Sequence, residues 1–192
     1  MPPRIRLKWV RAFHAMTAPR PNVVLALASP GERAALEAAL QRNLAADRLA
    51  QSFSEAVYPS RYTDGTFPAF YVAKQATTAI AEKMHHTANW LAKHHIAAHP
   101  HTIVLVHVDV DAMVDDLRAM TVTTPALRHA TDYTACQQQA RTSRAAGAQG
   151  VLYASVRDPQ GHDCAAIFDE STLSEAQPHT AVRLEWDGTQ FI

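Results

Sequence analysis

A lone carboxylate, Glu82, stands in the alanine- and threonine-rich stretch ATTAIAEKMHH, residues 76–86. His85 and His86 follow at the three- and four-residue spacings that bring side chains together on one helix face, so Glu82 with either histidine has the spacing of two ligands for one metal ion. No third ligand stands at a defined spacing. Seven of the eleven histidines crowd between 85 and 107, which reads as a polar helix face and a histidine-rich loop, and no metal is expected. Three more residues join Glu82 as candidates when the chain is read in order: Arg61, Tyr71 and Ser155. Taken singly, each has a plain explanation: a solvated loop charge, a core aromatic and a strand residue. No general base is paired with Ser155 in the sequence, so it does not read as a nucleophile.

The elements that must position these residues follow from periodicity and turn chemistry. Residues 1–20 are basic, carry prolines at 2, 3 and 19, and read as irregular. Ser29-Pro30-Gly31-Glu32 has the form of a helix start, and the leucine spacing that follows predicts a helix over about residues 31–54. Turn formers fill Tyr58–Pro68, making that segment, with Arg61 in it, a loop. Phe67–Ala73 reads as a short strand ending near Tyr71, and a helix resumes near Ala76 with Ile80, Met84, Ala88 and Leu91 as its inward stripe. Glu82 lies off that stripe. His101–Ala112 reads as a central strand, and Thr131 or Asp132 opens a helix that ends at Gly147. Gly150–Val156 and Asp163–Asp169 are strands, the first carrying Ser155 near its end. Asp187-Gly188 marks a terminal hairpin. Helices and strands alternate early and strands accumulate late, which gives an α+β class with a mixed, largely antiparallel sheet and flanking helices.

Composition narrows the classes further. The eighteen basic and eighteen acidic side chains cancel, so nothing in bulk charge calls for direct contact with nucleic acid or a membrane surface. VVLALA, residues 23–28, is too short to span a bilayer, and no apolar core of a signal peptide follows the basic start. Two cysteines, Cys136 and Cys164, make no disulfide framework and read as reduced. The expectation is a cytoplasmic single domain over residues 1–192. Within it, residues 1–55 carry no matched motif, 56–171 form a motif-bearing core, and 172–192 form a C-terminal hairpin. The sequence has no GxGxxG after a strand, no GxxxxGK[ST], no HExxH and no GxSxG.

Two blocks carry a resemblance. SRYTDGTFPAFYVAKQATTAIAEKMHH (Ser60–His86) is similar to the arginine loop, Y-[LV]-A strand end and A-x-x-E helix of the RES domain family. ARTSRAAGAQGVLYASVRDPQGHDCAAIFDES (Ala140–Ser171) is similar to that family's A-G-A-x-G-[IV]-x-Y-x-S-x-R segment and the strand after it. Ser60 stands where the family often has glycine, and the loop through Thr63–Thr66 is shorter than usual.

The resemblance implies a fold similar to that of the mono-ADP-ribosyltransferases and an NAD-degrading toxin neutralised by an Xre-type, DNA-binding antitoxin. A homodimer is compatible with it, and any contact with DNA would be indirect. It also implies that Arg61, Tyr71, Glu82 and Ser155 form the site, with NAD as substrate. These residue types suit cleavage of a nicotinamide–ribose bond. Glu82 would hydrogen-bond the ribose and stabilise an oxocarbenium-like centre. Arg61 would hold the pyrophosphate, Tyr71 would offer a ring to nicotinamide, and Ser155 would hydrogen-bond ribose or phosphate. Water, phosphate or a protein side chain as acceptor makes the activity a glycohydrolase, a phosphorylase or a protein mono-ADP-ribosyltransferase. A non-catalytic binding module and a metal hydrolase complete the alternatives.

Overall fold

A computed structural model describes residues 3–14 and 58–192, together with the isolated positions Ser29, Glu32, Ala35 and Phe53. Strand β1 (Arg4–His14) is followed by β2 (Phe70–Ala73), helix α1 (Ala76–Lys93) and the long strand β3 (His99–Asp116). Then come α2 (Arg118–Thr123), a 3-10 turn at Pro125–Arg128, α3 (Thr134–Ala145), β4 (Gly150–Ala154) and β5 (Asp163–Ile167). A second 3-10 turn at Glu170–Thr172 leads into β6 (Leu173–Trp186).

The six strands form one sheet in the order β1-β2-β5-β4-β3-β6, and β1 also pairs with β3. Only β3 and β4 run parallel; every other pairing is antiparallel. The α+β, mixed and largely antiparallel expectation therefore holds. Because β3 reaches both β1 and β4, pairing runs from β1 through β2, β5, β4 and β3 and returns to β1. Side-chain alternation divides the core into two clusters. Trp9, Phe70, Val72, Leu152, Ala165, Ile167 and the even-numbered β3 residues Val106–Val114 form one. Val10, Ala12, Ala73, Val151, Tyr153, Cys164 and Ala166 face the other way, with Tyr62, Ala79 and Cys136 packed on them.

Three expectations are corrected. Arg4–His14 is a strand, where the prolines and basic residues suggested irregular chain. Its polar residues alternate: Arg6 and Lys8 stand opposite Asp111 and Asp109, and Arg4 makes a two-pronged contact with Asp111 at 2.6 and 2.7 Å. Basic residues here are one face of a strand whose acidic partners come about a hundred residues later. The strand at Phe67 starts only at Phe70, because Pro68 has no N–H to give a ladder. On α1 the buried positions are Thr78, Ala79, Thr87 and Leu91, so the inward face is turned from the Ile80–Met84–Ala88 line. At the C-terminus the chain does turn back at Asp187-Gly188, through the antiparallel bridge Trp186–Phe191 and Ile192 N–H to the Glu185 carbonyl, while β6 itself lies along β3. The helix expected over 31–54 lies outside the described residues. Ser29 N–H does donate to Glu32 Oε2 at 3.0 Å, as a capping box requires.

The helix end at Gly147 is as read: φ is +87°, Gly147 N–H donates to Arg144 and Ala148 N–H to Ser143, the Schellman pattern. The start of α3 draws on Asp132, whose Oδ1 accepts from Thr134 N–H at 2.9 Å. A different constraint fixes Gly150, at the crossing of β4 and β5. A Cβ there would sit 2.7 Å from the Ala166 carbonyl oxygen and 3.0 Å from Ile167 Cδ1. Gly150→Ala is expected to destabilise the fold by about 1–3 kcal/mol, since backbone must move to admit the methyl group. The midpoint of urea unfolding, at unchanged m-value, measures it.

Candidate functional site

The helix α1 and the loop before β2 converge on a cavity of about 290 Å³. Arg61, Tyr71 and Glu82 line it, joined by Arg11, Lys83, His86, Tyr153 and Cys164. Three of the four sequence candidates thus share one wall, and the fourth stands behind it. Ser155 is buried at 2% exposure, and its hydroxyl donates to Glu82 Oε1 at 2.6 Å. The serine is spent on the glutamate and holds one carboxylate oxygen in place.

Tyr71 is placed by backbone rather than by packing alone. Its hydroxyl accepts from Tyr62 N–H at 2.8 Å and lies 2.7 Å from Ser60 Oγ. A serine at position 60 therefore supplies a partner that glycine would not. Burial pushes the Tyr71 phenol up to about 12, so it stays neutral at physiological pH. The loop carrying Ser60 and Arg61 is fastened to α3: Gln137 Nε2 donates to the Ser60 carbonyl at 2.9 Å, and Asp64 pairs with Arg141.

Arg61 is 8% exposed, and its terminal nitrogens donate to the carbonyls of Leu127 (3.2 Å) and His129 (3.1 Å). Its guanidinium also lies over the Tyr133 ring at 4.7 Å. Arg61 thus adds charge to the cavity while tying down the segment that enters α3.

Two charged cavity residues, Arg11 and Lys83, escaped the reading of the sequence, and His86 was weighed there only as a metal ligand. Arg11 comes from β1; its Nη1 donates to the Tyr71 carbonyl at 2.7 Å and its guanidinium covers the Phe70 ring at 4.8 Å. Burial brings it down to about 10, which still leaves it cationic at neutral pH. The signal that points to it is the alternation in RIRLKWVRAF, which marks β1 as a strand. Lys83 and His86 neighbour Glu82 on α1. Among the described residues the lining thus includes the cations Arg11, Arg61 and Lys83 beside the carboxylate of Glu82.

His85 Nε2 is 3.0 Å from Asn89 Nδ2, and among the described residues no three His, Cys, Asp or Glu side chains are grouped to hold a metal ion. Both cysteines are buried free thiols; Cys164, at the cavity, is held well above the ordinary thiol range by burial. Among the described residues no helix is long and apolar enough to cross a membrane.

His86 has a pH signature. Its side chain is exposed at the cavity, and desolvation by the surrounding wall, then His85 and Arg157, bring it down to about 4. In the unfolded chain it titrates near 6.5. Between those values the unfolded state binds the extra proton, so this contribution to stability is intact above about 6.5 and lost as pH falls toward 4. His86→Gln is expected to flatten that acid loss, seen by comparing urea midpoints at pH 7 and pH 4.5.

Comparison with known proteins came to the same middle of the chain. The RES domain family model matches residues 27–187. A chain of the crystal structure of the M. tuberculosis MbcT–MbcA toxin–antitoxin complex has a similar fold, with a TM-score of 0.56 at 18% identity. That match covers 96% of this chain and 86% of the other. No curated protein matches the sequence. With the family model spanning most of its length, both motif blocks included, the chain belongs to the RES domain family.

Proposed function

We propose that this protein is the toxin of a toxin–antitoxin pair and consumes NAD by breaking its nicotinamide–ribose bond. The observation that carries the reading is Glu82: a carboxylate at the wall of a cavity, one oxygen held by a buried serine, in a lining otherwise rich in cations. In the reaction the C1′–N bond breaks and its electron pair leaves with nicotinamide, which departs neutral. Positive charge then develops on C1′ and the ring oxygen of the ribose. Glu82 stabilises that charge and accepts a ribose hydroxyl, because its orientation is set before substrate arrives. An acceptor oxygen closes the new bond to C1′ and gives up its proton; with water the products are ADP-ribose, nicotinamide and a proton.

Arg11, Arg61 and Lys83 offset the charge of the pyrophosphate, and the Tyr71 ring packs against nicotinamide. At about 290 Å³ the cavity lies near the lower end of ligand pockets, a size for the reacting half of the dinucleotide. A cognate antitoxin of the DNA-binding Xre type would neutralise the enzyme by covering this opening. The likeness to a chain of a toxin–antitoxin complex supports that partnership.

Purified protein is expected to release nicotinamide from NAD, and Glu82→Gln to lower kcat by a hundredfold or more, on the order of 3 kcal/mol of transition-state stabilisation. Chromatographic quantification of nicotinamide measures it. Release by wild type that Glu82→Gln leaves unchanged would sink the assignment. Transfer of label from radiolabelled NAD to protein would move the activity to a protein mono-ADP-ribosyltransferase.

A further inference from the structure

The hydroxyl that holds Glu82 is itself held. Besides donating to Glu82, Ser155 Oγ accepts from the backbone N–H groups of Arg157 (3.1 Å) and Asp158 (3.0 Å). Those two amides fix where the hydroxyl sits, and leave its proton for the carboxylate. The Asp158 side chain reaches from the same turn to α1. Its Oδ2 accepts from Thr78 Oγ1 at 2.6 Å and lies 2.7 Å from His162 Nδ1, while Oδ1 accepts from Gln160 N–H at 2.9 Å. Thr78 is fully buried and stands four residues before Glu82, on the same helix face one turn earlier.

The turn after β4 is thus pinned to α1 at two points, Ser155 to Glu82 and Asp158 to Thr78. A single hydrogen bond leaves a helix free to roll and slide about that contact. Two contacts spaced by a helical turn fix both its rotation and its position along the axis. We propose that Asp158 and Thr78 are positioning residues for Glu82: they set the helix against the Ser155 turn so that the carboxylate enters the cavity in one orientation. The inference rests on the NAD-cleaving reading for its kinetic consequence, and on geometry alone for the clamp. The hydroxyl of Thr78 and then His162 hold the Asp158 carboxyl down at about 2, so the clamp is ionised at any pH near neutral.

The test uses Thr78→Val, which keeps the buried shape and removes the hydroxyl, beside Thr78→Ser, which restores it. Two measurements are made on the full chain: amide hydrogen exchange at Arg157 and Asp158, and kcat and KM for nicotinamide release. Thr78→Val is expected to speed exchange at both amides and lower kcat roughly tenfold, with KM within about twofold, as loss of one charge-assisted hydrogen bond implies. Thr78→Ser is expected to match wild type in both. Unchanged exchange in Thr78→Val overturns the clamp. Faster exchange with unchanged kcat, or a rise in KM alone, overturns the positioning role. If Thr78→Val fails to fold, Asp158→Asn takes its place with the same two readouts. Should wild type release no nicotinamide, the proposed function falls, and exchange at the two amides alone decides the clamp.

Discussion

Everything at the cavity depends on β3. Its eighteen residues are long enough to pair with β6 over His99–Val110, with β1 over Ile103–Met113 and with β4 over Val114–Asp116. That three-way pairing returns the sheet on itself and sets the register of the strands that carry the site. β1 is aligned by β3, and β2 meets β1 through one pair, Val10 and Ala73, beside Arg11. From the other direction β4 takes its register from Val114–Asp116 and hands it to β5, which in turn aligns β2. Arg11, Tyr71, Tyr153 and Cys164 thus stand at one place because four strands inherit one alignment. A slip of one residue would turn each of these side chains to the opposite face.

On that frame the polar groups facing the cavity are each held by fixed neighbours. Ser155 holds Glu82, and the Tyr62 amide with Ser60 holds Tyr71. Carbonyls of Leu127 and His129 hold Arg61. Each contact satisfies a buried donor or acceptor that would otherwise cost free energy. Each also removes a degree of freedom that a ligand would have to freeze on binding. Arg11 keeps its charge in a desolvated wall, with its guanidinium over Phe70 and donating to the Tyr71 carbonyl.

Local patterns read the architecture well where they were short-range. The alternation of β3, the glycine at 147 and the turns flanking β4 and β5 all announce themselves within a few residues. The ordered set Arg61, Tyr71, Glu82 and Ser155 comes together in space, the first three lining the cavity and Ser155 bonded to Glu82. The misreadings share one cause, a partner far away in the chain. Arg4, Arg6 and Lys8 look like a basic tail until Asp109 and Asp111 stand opposite. Ser155 reads as a plain strand residue until Glu82, seventy-three residues earlier, accepts its hydrogen bond. The face of α1 that turns inward was decided by Asp158 and the sheet beneath it, not by hydropathy alone.

The place of β1 has a consequence for synthesis. It is made first, yet its main partner is the strand ending at Asp116, and the cavity wall is finished only when Cys164 on β5 has been added. Pairings of such long sequence separation form late, because the chain between must be ordered before they repay the loss of entropy. A ribosome-bound chain short of its last sixth therefore holds no assembled cavity. The assembled cavity arises late, once β5 has joined the sheet beside β2 and β4.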